Sequence, residues 1–216
     1  MWHIKRQMRP IEVKDNFNFP DIHNLEKVWT DITYTVVDKE FEFISLLKEN
    51  LGGDIFFRGF KFQENDTFDW YCSRGRLDEI EFNDYFLLSK TVLSQFEVLV
   101  HNSNGTEEST AAWAIEKKPK FEWVNEFTID GELASLLYHG GAYGSNFKKP
   151  VGEIKKLAQR FCYELFEEEY RYEFVRCYKS NTAWNSWFND FIIDDTLIII
   201  CMKTRTIWML AHTDTD

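Results

Sequence analysis

Five aspartates toward the C-terminus, Asp190, Asp194, Asp195, Asp214 and Asp216, are residues whose type and spacing suit a hard cation. Such ions want several oxygens converging from strand ends. A hairpin between residues 196 and 211 would bring the Asp194/Asp195 pair toward the Asp214/Asp216 pair, and metal-assisted hydrolysis is the chemistry such a set could support. Against this, aspartate is common at strand ends, and no His or Glu stands nearby at fixed metal spacing. The run Gly140-Gly-Ala-Tyr-Gly-Ser145 after His139 could offer backbone N–H groups to a phosphate or oxyanion. It lacks the Lys-Ser/Thr of a P-loop and the GxGxxG spacing, and the chain has no GxSxG elbow, so a helix stop followed by a loop is its ordinary meaning. The five histidines are scattered without an HExxH pair, and a lone one such as His212 is more often structural than a ligand. Cys72, Cys162, Cys177 and Cys201 have no CxxC spacing and mostly lie in apolar runs that raise a thiol pKa. Buried free thiols are the expectation.

A different chemistry, recognition, is suggested by Glu167-Glu-Glu169. These residues end a strongly periodic helix, where the macrodipole disfavours negative charge, and a broken local rule tends to mark function or compensation. From Cys162 to Asp195 eight acidic residues face three basic ones, a net −5, and Tyr170, Tyr172, Tyr178, Trp184 and Trp187 lie among them. Acidic charge can steer a cationic partner and large aromatics can anchor it. The bland alternative puts those aromatics in the core and leaves the acids merely solvated.

The whole chain shares this sign. Lys and Arg number 25 against 36 Asp and Glu, a formal charge of −11 over 216 residues. Residues 1–20 sum to +2, so the remainder carries −13, which repels phosphate backbones and argues against nucleic acid as a partner. Solubility alone accounts for an acidic chain, and a basic partner is the sharper meaning. No apolar segment follows the charged N-terminus as in a signal peptide, and no run is long enough to span a membrane, so a reducing cytosol is expected.

The elements that must position these residues are clearest at the C-terminus. Thr196–Met202 and Ile207–Ala211 are β-branched or aromatic runs split by Lys203-Thr-Arg-Thr206, and neither alternates. They predict a hairpin covered on both faces, at the centre of a sheet, with Ile198, Ile200 and Trp208 buried. Ile154, Leu157, Ala158, Phe161, Leu165 and Phe166 repeat at three and four behind Pro150 and predict the strongest helix. Asp38 and Asp130 are candidate caps for two further helices, one carrying Phe41, Ile44, Leu47 and Leu51 up to Gly52-Gly53, the other Leu133, Leu136 and Leu137. Ile55–Phe62 and Thr67–Cys72 around a polar turn predict an aromatic-faced hairpin, and Tyr170–Tyr178 predicts a strand. Asn83 opens a helix with Tyr85, Leu88, Val92 and Phe96 in register, while Phe96–Val100 suits helix or strand. Pro119 splits the stretch from Thr110 to Val124 into two edges of a loop.

Hairpins with helices bunched between them, and no βαβ alternation, predict an α+β fold with a mainly antiparallel sheet. No linker divides the chain, so residues 1–216 read as one domain. Two functions are carried forward. The first is a non-catalytic, immunity- or inhibitor-like protein that occludes a basic protein partner such as a toxin or nuclease. It would act through Glu164, Glu167, Glu168, Glu169, Tyr170, Tyr172, Trp184 and Trp187, and needs no cofactor. The second is a metal-dependent hydrolase using Asp194, Asp195, Asp214 and Asp216.

Overall fold

A computed structural model describes residue 29 and residues 32–51, 53–96, 117–140, 147–166, 174–188 and 194–213. Its six strands are β1 (Tyr34–Val37), β2 (Asp54–Phe62), β3 (Glu122–Val124), β4 (Val175–Ser180), β5 (Asp195–Cys201) and β6 (Thr206–Thr213). They form one sheet in the order β1-β2-β6-β5-β4-β3, with every neighbouring pair antiparallel. The C-terminal hairpin β5–β6 therefore fills the two central positions. Its register pairs Ile200 with Ile207 and Ile198 with Met209. Every residue of β6 is buried, as are all of β5 beyond Asp195. Strands with no polar face need cover on both sides, and helices supply it.

On one face, Phe56, Phe60, Phe62, Ile198, Ile200 and Met209 pack against α2 (Asp66–Ser73), a 3₁₀ turn (Leu77–Ile80), α3 (Phe82–Leu88) and a further helix, α4, over 90–96. On the other, Phe57, Trp208, Leu210, Leu197, Ile199 and Cys177 pack against α1 (Glu42–Asn50), α5 (Ile129–His139) and α6 (Val151–Phe166). The result is an α+β fold. Gly59 lies opposite Trp208 in the β2–β6 register, and a Cβ there would come within 2.6 Å of the indole. Its missing side chain is what lets Trp208 lie across β2 and stack on Phe57 at 5.4 Å.

The helix spanning residues 151–166 forms as its periodicity predicts, directly after Pro150. Several other expectations change. The second strand of the aromatic hairpin, Thr67–Cys72, is helix α2. Asn65 caps it by accepting the Phe68 N–H at 3.0 Å, so the polar residues before it start a helix instead of turning a hairpin. β2 has its partners elsewhere, in β1 and β6. The helix expected from Asn83 breaks at Ser89, which is extended, and Ser89 Oγ accepts the Val92 N–H to start α4. The break rotates the face, so Phe82, Phe86 and Leu87 are buried with Val92 and Phe96, while Leu88 is exposed. Phe41 and Thr128, not Asp38 and Asp130, hold the N-cap positions of α1 and α5. Extended Leu51 closes α1, and Gly52 of the expected glycine stop lies outside the described residues. Of Tyr170–Tyr178, the strand begins at Val175, and residues 170–173 lie outside the described residues.

The β5–β6 turn is fastened to α2. Arg205, at a positive φ of 55°, makes a two-pronged ion pair with Asp69, one arm at 2.8 Å, while its carbonyl accepts the Phe62 N–H at 2.9 Å. All four cysteines are free and buried, as expected from their apolar settings.

Candidate functional site

The acidic segment contributes less described surface than its sequence suggests. Glu164 is exposed near the end of α6, beside the exposed ring of Tyr163. Glu167, Glu168, Glu169, Tyr170 and Tyr172 lie outside the described residues. Trp184 is fully buried: its Nε1 donates to Thr196 Oγ1 at 2.9 Å, and its ring meets Phe96 at 5.3 Å. Trp187 is 8% exposed and packs edge-on to Phe96 and Phe188. These two rings belong to the core, which corrects their expected place as exposed anchors. The segment over 181–188 folds back over the sheet, and burial of two indoles holds it there.

The aspartates of the second expectation divide. Asp194 is buried just before β5, and Asp214 and Asp216 lie outside the described residues. Asp195 accepts from Lys179 Nζ at 2.9 Å and faces His212 Nε2 at 3.4 Å, its directly paired residue on β6. Burial pushes the Asp195 carboxyl up, but His212 and Lys179 outweigh it and hold the carboxyl below its ordinary range. Lys179 also approaches Glu132 at 3.7 Å. With a lysine at its centre, this is an ion cluster and a poor cation site, although Asp195 Oδ1 is buried without a hydrogen-bond partner among the described residues. Among the described residues no group of three or more His, Cys, Asp or Glu side chains is placed to hold a metal ion. Near the glycine run, Gly140 ends α5 at a φ of 66°, and residues 141–146 lie outside the described residues.

A site that sequence reasoning missed lies at β3, the outer strand beside β4. Register places Trp123 opposite Tyr178 and Val124 opposite Cys177. Trp123 stands at the sheet margin and is 56% exposed. After β3 the chain makes an Asx turn: Asn125 Oδ1 accepts the Phe127 N–H at 2.9 Å, and the Asn125 carbonyl accepts from Thr128 N and Oγ1. That turn sends Phe127 outward, 68% exposed, and tucks Glu126 inward, 4% exposed.

Facing them is the loop after α2. Gly75, at a φ of 65°, carries the chain past the guanidinium of Arg176, where an added Cβ would sit 3.5 Å from Nη2. Between the two walls is a cleft of about 440 Å³ lined by Arg74, Gly75, Asp78, Trp123, Asn125, Glu126, Phe127, Arg176 and Tyr178. Its volume falls in the range of roughly 300–1,000 Å³ typical of ligand sites.

The charges lining the cleft are unequally committed. Arg176 is buried and donates to the carbonyls of Cys72, Ser73 and Val175 at 3.1–3.4 Å. Arg74 lies over the Trp70 ring at 4.5 Å and donates to Ser73 Oγ. Glu126 Oε2, by contrast, is buried without a hydrogen-bond partner among the described residues. The Asp78 carboxyl is raised by burial and then by the neighbouring Asp84 carboxylate, whose own cation is Lys118 at 2.7 Å. The cleft thus has two arginines whose donors are engaged by neutral acceptors, two carboxylates with no ion pair among the described residues, and two exposed rings. Carboxylates, guanidinium groups and flat rings are groups that can hold a guest by charge and contact. In the sequence, the available signals were Pro119, marking a nearby sheet edge, and Asn125 two residues before Phe127.

Comparisons with protein-family models, with curated proteins and with solved structures each find no match for this chain.

Proposed function

We propose that this chain is a non-catalytic binding protein that takes up a basic protein partner and covers its cationic surface, as inhibitors and immunity proteins do. The observation that carries this reading is the β3 cleft. Exposed Trp123 and Phe127 stand beside carboxylates with no ion pair among the described residues, on a chain of formal charge −11. Aromatic rings supply contact area that holds a complex together, and the surrounding negative field raises the rate of encounter with a positive partner. The acidic run from Glu164 to Glu169 adds to the net negative charge.

The test begins with a basic protein recovered on the immobilised chain from its native host. Reversing Glu167, Glu168 and Glu169 to Lys is expected to slow association severalfold and to leave the thermal midpoint unchanged or slightly higher, since Lys suits a helix end. Recovery of only neutral or acidic partners, whose association ignores the reversal, would contradict the reading.

A further inference from the structure

Burying a carboxylate oxygen with nothing to accept from is costly in a protein interior, and native chains rarely leave such an atom unexplained. Glu126 is such a case, and it lines the cleft. Asp78 on the opposite wall has no ion-pair partner among the described residues. The two guanidinium groups nearby are already directed at carbonyls and at Trp70. A positively charged guest would meet two acids with free accepting capacity. An anionic one would meet the same two acids and find Arg176 engaged with three carbonyls and Arg74 with Trp70 and Ser73. The rim adds a second requirement: Trp123 and Phe127 offer flat apolar surface on which a guanidinium or an alkyl-ammonium stem can lie.

We infer that the cleft receives one cationic side chain of the basic partner, an arginine or a lysine, with its charge at Glu126 and Asp78 and its stem along Trp123 and Phe127. This rests on the partner being basic and specifies where it is gripped. The bound cation fills the accepting capacity of Glu126, which gives the complex specificity for charge as well as for area.

The probe is blocked arginine, Nα-acetyl-arginine amide, titrated into the full chain while the indole N–H resonances are followed by NMR. Trp123 is identified by its loss in Trp123→Phe. A saturable shift of the Trp123 signal is expected. The uncharged isostere Nα-acetyl-citrulline amide should give none, and both Glu126→Gln and Asp78→Asn should weaken the arginine response about tenfold. Equal response to citrulline, tighter binding of free arginine than of the blocked form, or a Trp123 shift with inorganic phosphate would overturn the inference. These outcomes point respectively to a neutral, an amino-acid and an anion site. If Glu126→Gln fails to fold, Asp78→Asn and Phe127→Leu carry the same test, read on the Trp123 signal.

The two proposals fail separately. A basic partner that binds Glu126→Gln and Asp78→Asn as tightly as the native chain refutes the side-chain pocket alone. Blocked arginine binding with no basic protein partner refutes the broader reading alone.

Discussion

Whether a polar side chain is spent or unspent separates the parts of this molecule most clearly. Asp195 has its cations: against the upward push of burial, His212 and Lys179 hold its carboxyl below the ordinary value of about 3.9. A folded-state value below the unfolded one contributes stability that is present above about pH 4 and lost as pH falls through the lower folded value. Asp195→Asn should therefore lower the unfolding midpoint at pH 7 and narrow the gap to the native chain toward pH 3, as read by urea titration at each pH. A constant gap would mean that the carboxylate's charge is not what matters there. The cysteines are withdrawn in another way. Burial pushes the Cys72 thiol up to about 12 and raises the Cys162 and Cys177 thiols well above their ordinary range, so thiolate is scarce at neutral pH. Thiol reagents should label the native chain slowly and the denatured chain at once. Fast native labelling would place at least one thiol outside the core.

Among the elements, those whose local pattern agrees with their tertiary setting were legible. β5 and β6 are apolar on both faces and sit where both faces are covered, and α6 buries the stripe that its spacing marks. Thr67–Cys72 was not legible, because Phe68 and Cys72 are four apart and satisfy a period of two and a period of 3.6 equally. Asn65 decides the outcome by capping the helix, and β6 has already taken the edge of β2 that a hairpin partner would need. The cleft was harder still to see. Trp184 and Trp123 both stand among polar residues in sequence, yet one is fully buried and the other 56% exposed, since only the packing of the segment over 181–188 and the outer place of β3 set them apart. Glu126 offers no sequence sign of burial. It is the Asx turn at Asn125 that inverts the exposure of Glu126 and Phe127. The centrality of the hairpin has a direct consequence. Deleting residues 205–216 removes β6 and the Arg205–Asp69 pair together, and should leave an insoluble chain or one without a cooperative thermal transition. A soluble truncation that unfolds cooperatively would contradict the central placement of β6.

At the level of the whole molecule, a helix-covered sheet acts as a rigid frame that presents an aromatic-rimmed cleft at its outer strand, within a chain whose net charge is −11. Charge and contact then make separable contributions. Long-range attraction acts on the encounter rate and is screened over about 10 Å at 0.1 M salt, whereas rings in a cleft act on how long the complex lasts. Trp123→Ala should mainly speed dissociation, by a factor corresponding to about 2 kcal/mol for an anchor ring, with little change in association. The most direct test of the account is the ionic-strength dependence of the two rate constants for the basic partner, measured by surface binding or stopped flow on the native chain. The account predicts an association rate that falls steeply between about 0.05 and 0.5 M salt and a dissociation rate that changes far less. An association rate indifferent to salt would contradict it.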